Sequence, residues 1–97
     1  MSMKEAYEKK LQGQLDKWSA EIDKLKAKAD KAEGKTQAEY HKQVEELRSM
    51  QQAIGEKLVE VKQASDSKWE DMKAGIDNAW HSLEDSISSV KKRFESK

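Results

Sequence analysis

The sequence predicts an all-α fold, an up-down-up three-helix antiparallel bundle or coiled coil, and three observations carry that prediction. The first is composition: 39% of residues are charged, 35% are hydrophobic, there is no proline and there are only four glycines. Long helices and coiled coils have that balance, whereas a β protein needs turn residues and more β-branched side chains. The second is the stretch from Leu15 to Lys35, three consecutive heptads reading LDKWSAE, IDKLKAK and ADKAEGK. Leu15, Trp18, Ile22, Leu25, Ala29 and Ala32 alternate at spacings of three and four, so they share one stripe while the Asp-Lys pairs face away. The third is that this stripe continues from Tyr7 to Phe94 at about 3.6 residues per step, between the 3.5 of a heptad and the 3.67 of a hendecad. A mean hydropathy of -1.09 is low for a folded chain. Disorder would scatter the apolar and aromatic residues, however, and here they keep to the stripe.

The first helix is expected over residues 3–33, with Tyr7, Leu11, Leu15, Trp18, Ile22 and Leu25 on its apolar face. Gly34 suits the position after a helix end, and Thr36 with Glu39 three residues later fits a capping box that opens a second helix over 37–64. Tyr40, Val44, Leu47, Ile54, Leu58 and Val61 carry its stripe. Gln51 stands where an apolar residue is expected. Either it is a buried polar group that fixes register, or Met50 rotates inward and Gln51 lies at the edge.

At Ser65, Asp66 and Ser67 a cluster of cap formers precedes the third helix, expected over 68–95 with Ser67 and Glu70 as its capping box. Trp69, Met72, Ile76, Trp80, Leu83, Ile87, Val90 and Phe94 give this helix the largest side chains, so it is expected to supply the most burial per residue. Each helix would be roughly 45 Å long. In the up-down-up arrangement Gly13, Gly55 and Gly75 fall at nearly one height. The alternative is longer continuous helices in an oligomeric coiled coil, because a glycine inside a helix costs only about 1 kcal/mol. All of 1–97 is read as one helical domain.

Few residues are arranged for chemistry. No cysteine is present, so a disulfide framework and a thiolate metal site are excluded. His81 shares a face with Asp77 and Asp85, but solvated pairing at that spacing is the commoner outcome and no metal site is assigned. His41 lies one step off the stripe. The Glu-x-x-His pair of di-iron bundles is missing, since Ala38 and Asn78 occupy the positions three before each histidine. Gly34, Lys35 and Thr36 echo the end of a phosphate loop, yet Ala29 stands at its first glycine and no strand precedes it. A narrow bundle offers no concave site for a nucleophile and its base. No catalytic residue, no cofactor and no enzymatic activity are therefore expected.

Basic and acidic residues balance at nineteen each, which leaves no global field for nucleic acid. Lys91, Lys92 and Arg93 form the one basic cluster, placed where cations favour the negative pole of a helix. No apolar run is long enough for a signal peptide or a membrane span, so a cytoplasmic location is expected.

Three stretches carry a resemblance: MKEAYEKKLQGQLDKW from Met3 to Trp18, AEYHKQVEELRSMQ from Ala38 to Gln51, and WEDMKAGIDNAW from Trp69 to Trp80. Together they resemble a family of bacterial coiled-coil domain-containing proteins of about this chain's length. The likeness covers nearly the whole chain and implies a helical coiled-coil fold, but no activity and no site residues to carry over. The mixed seven- and eleven-residue periodicity is more weakly similar to exchangeable apolipoproteins and to dehydration-protective helical proteins.

The expected function is that of a non-enzymatic structural or interaction protein, a self-assembling or stress-protective scaffold. Its partners would be further copies of itself or another helical protein. The alternative is reversible binding to a lipid surface, with Trp18, Trp69, Trp80 and Phe94 laid into the interface. Against that alternative, Asp66, Glu70, Asp71, Asp77, Glu84 and Asp85 outweigh Lys68 and Lys73 on the third helix before its basic tail, so anionic lipid would repel that part.

Overall fold

The computed structural model describes residues 2–95, in three helices: α1 (Met3–Lys31), α2 (Gly34–Gln63) and α3 (Asp66–Glu95). They form an up-down-up bundle with extents of 50 × 19 × 19 Å. The direction of each helix can be read from its contacts. Tyr7 packs on Trp69 and Trp18 on Trp80, early with early and later with later, so α1 and α3 run parallel. Tyr40 near the start of α2 stacks on Phe94 at the end of α3, with ring centroids 3.8 Å apart, so α2 opposes them.

The helix ends differ from the sequence expectation in both turns. α1 stops at Lys31 rather than 33, where the Ala32 N–H bonds the Ala29 carbonyl at 3.2 Å. Ala32 and Glu33 are extended, with ψ of 161° and 153°, and Gly34 at φ 62° opens α2. The reversal is therefore finished before Thr36, which lies inside the first turn of α2. Its capping box with Glu39 is not used, and Glu33 at the N-cap makes no side-chain bond. Gly34 serves the start of α2 rather than the end of α1, in a left-handed conformation that costs other residues more than glycine.

In the second turn α2 ends at Gln63 and Ala64 is extended, at ψ 151°. Ser65, not Ser67, caps α3: its Oγ accepts from the Lys68 N–H at 3.4 Å, and its carbonyl accepts from the Trp69 N–H at 3.1 Å. Of the adjacent cap formers, the first after the extended residue takes the position. α1 is capped by Ser2, whose Oγ accepts from the Glu5 N–H at 3.1 Å.

The core is a single cluster along the bundle axis, drawn from all three helices. Glycine is not needed for close packing at Gly13, Gly55 or Gly75, since a Cβ at each would meet nothing within 4 Å. Gly55 shares a groove with Leu15 of α1, and Gly75 shares another with Ile54 of α2, which puts the two glycines near one height.

Candidate functional site

The residues of the apolar stripe are the ones a function would have to use, and the structure places them as follows. Leu11, Leu15, Trp18, Ile22 and Leu25 of α1 are buried, as are Tyr40, Val44, Leu47, Ile54, Leu58 and Val61 of α2. In α3, Trp69, Ile76, Leu83, Ile87, Val90 and Phe94 are buried, while Met72 and Trp80 are half-buried against the core. Trp18 is only 1% exposed and meets Trp80 edge-on at 5.3 Å. Among the described residues the exposed large hydrophobics are Met3 and Val59, so the stripe is spent inside the chain.

Gln51 is not a buried polar group: it is half-buried at the edge of the α1–α2 interface, the second of the two readings open to the sequence, and it still bonds across that interface. Its Nε2 donates to the Leu15 carbonyl at 3.1 Å and to the Ser19 hydroxyl, across the α1–α2 interface. Met50 packs against the core beside it. Farther along the same interface, Arg48 pairs with Asp23 and His41 with Asp30, the latter at 3.0 Å. Gln37 donates to the Asp30 carbonyl at 3.3 Å.

The α1–α3 seam holds a second polar cluster. Tyr7 donates its hydroxyl proton to Asp77 at 2.8 Å, and burial, reinforced by that hydrogen bond and the Asp77 charge, holds the phenol neutral well above its ordinary range. Lys73 lies 5.7 Å from the Tyr7 ring centre and Lys10 lies 5.9 Å from that of Trp80. Trp80 donates its indole N–H to Glu84. His81 lines the same groove, of about 370 Å³, with Asp77 and Glu84. Among the described residues no three His, Asp or Glu side chains are grouped to hold a metal ion, so Asp77, His81 and Asp85 do not converge. The cluster pairs donors with acceptors and cations with aromatic faces, and that organisation holds two helices together.

The grooves between helices are open to solvent. One, about 500 Å³ between α1 and α2, is lined by Leu15, Ser19, Gln51, Gly55 and Val59 among others. A more apolar one, about 400 Å³ between α2 and α3, is lined by Ile54, Met72, Gly75, Ile76 and Ala79.

Contacts between distant residues escaped the sequence, and one of them closes a helix end. Lys4 Nζ donates to the carbonyls of Lys62 at 3.2 Å and Ala64 at 2.8 Å, closing the end of α2 from α1. Nothing local signals it, because the partners are sixty residues away. The Ser2 cap was legible in principle, since Ser2 with Glu5 is itself a capping-box pattern. No helix among the described residues is long and apolar enough to cross a membrane. No family model, curated protein or solved structure matches the chain.

Proposed function

We propose that the chain is a non-enzymatic helical interaction protein, a scaffold that works by associating with a second copy of itself or with another helical protein. The observation that supports this reading is the use to which the side chains are put. Apolar and aromatic groups line helix–helix seams, and polar groups at those seams pair with one another across them. Such a molecule acts through surfaces and through rearrangement of its helices.

Lipid binding is the competing outcome. Trp18, Trp69 and Phe94 are buried in the closed bundle, so docking them on a membrane requires the helices to separate first. Sedimentation over a wide concentration range, with vesicle flotation beside it, tests the proposal. Reversible mass increase without flotation supports the scaffold; flotation on zwitterionic vesicles with the chain remaining monomeric in solution would overturn it.

A further inference from the structure

The two turns of the bundle are built differently. The first contains two extended residues followed by Gly34 in the left-handed region, a reversal written into the backbone. The second contains neither proline nor a positive φ: among the described residues Gly34 alone has one, and the chain has no proline. Ala64 is extended at ψ 151°, yet alanine has the best helix propensity of any residue. Val61, Ser65 and Trp69 follow at spacings of four, so straightening the bend keeps the stripes of α2 and α3 on one face.

Side chains hold this bend. The Lys4 ammonium takes the carbonyls of Lys62 and Ala64, and Ser65 Oγ takes the Lys68 N–H. In a continuous helix those carbonyls would accept from the Asp66 and Lys68 N–H groups instead. Lys4 and Ser65 thus occupy the groups that would otherwise carry the helix through.

We propose that the Ala64–Ser65 bend opens into one continuous α2–α3 helix and that two copies of the chain exchange α3, each α3 packing on the α1–α2 hairpin of the other. The inference rests on the self-association reading above and names its partner, a second copy. Exchange re-forms the core contacts of α3 between chains and requires no new surface, which is why it is a low-cost route to dimers. The α1–α2 hairpin keeps its own cross-links, from Gln51 to Leu15, Arg48 to Asp23 and His41 to Asp30, while α3 changes hosts. Residues 34–95 as one helix would span about 93 Å, against the 50 Å length of the closed bundle.

The test is refolding from denaturant at high chain concentration, followed by mass and small-angle scattering measurements on the wild type and two variants. Asp66→Pro suits the first helical position of α3 but blocks a helix running through it. Lys4→Ala with Ser65→Ala removes both side-chain restraints. The expected result is a wild-type species of twice the chain mass and nearly twice the length, a several-fold larger share of it in the double variant, and none in Asp66→Pro. A second readout covers any variant that fails to fold: fluorophores on Glu39→Cys and Glu95→Cys, in labelled chains diluted into unlabelled ones. Those positions adjoin the stacked Tyr40 and Phe94, so energy transfer is strong in the bundle and is lost in an exchanged dimer. A dimer that forms equally in Asp66→Pro, or that retains the transfer, overturns the exchange and leaves self-association standing. Monomers throughout, in wild type and double variant alike, overturn both.

Discussion

Gln51 of α2 hydrogen-bonds the main-chain carbonyl of Leu15 in α1, at 3.1 Å, while the same Nε2 reaches the Ser19 hydroxyl. A slip of α2 by one turn would move this amide off both acceptors, so the contact supplies a register mark that the surrounding apolar residues do not. A double-mutant cycle with Gln51→Ala and Ser19→Ala should give a coupling of about 0.5–1.5 kcal/mol, the usual net worth of such a bond. Chemical denaturation of the four proteins checks it, and coupling indistinguishable from zero would mean the Gln51–Ser19 bond adds no stability.

Glycine inside a helix costs about 1 kcal/mol relative to alanine, and at Gly55 and Gly75 a Cβ would meet nothing within 4 Å. Gly55→Ala and Gly75→Ala should therefore each stabilise the bundle by about 0.5–1 kcal/mol, raising Tm by a few degrees. Gly34→Ala should move the other way by about 1–2 kcal/mol, because its φ of 62° is strained for alanine despite the open space around it. Thermal melts decide both signs, and a stabilised Gly34→Ala would show that the first turn can adopt another backbone.

The stripe was legible because it is a spacing property, repeated over the whole chain and satisfied by burial at Leu11 as at Val90. Turn positions were less so. Thr36 with Glu39 and Ser67 with Glu70 both match a local cap pattern, but a cap forms where the chain reverses, and reversal is set by how far each helix must run for its stripe to meet the others. Ala32 and Glu33, which make the first turn, carry no turn signature at all. The Tyr7–Asp77 and Lys4–Ala64 bonds lie beyond any periodicity, since they join residues brought together only by the bundle.

Burial and the Asp77 contact raise the Tyr7 pKa in the folded state above its unfolded value near 10. The neutral phenol therefore contributes stability that is fully present below pH 10 and is lost as pH rises above it, because the unfolded chain releases that proton first. Tyr7→Phe removes this proton linkage. Wild type should lose stability more steeply than Tyr7→Phe above pH 10, and the difference in tyrosinate absorbance between the two should appear only at still higher pH. Parallel stability curves for the two proteins through alkaline pH would contradict the burial of this hydroxyl.

The largest fully buried side chain among the described residues is Trp18, 1% exposed and edge-on to Trp80. Truncating a buried tryptophan removes its transfer free energy and leaves a cavity, a loss of about 3–5 kcal/mol, set against the 5–15 kcal/mol stability typical of a folded domain. Trp18→Ala should therefore leave the bundle marginal at room temperature. Trp80→Ala should cost less, because half-buried Trp80 leaves a void that solvent reaches rather than an empty cavity. Denaturant midpoints at unchanged m-value measure the two, and the order matters more than either size. If Trp80→Ala were the worse, the α1–α3 seam rather than the bundle axis would be the main source of stability. Release of α3 would then begin with loss of the Trp80 contacts to Trp18, Lys10 and Glu84.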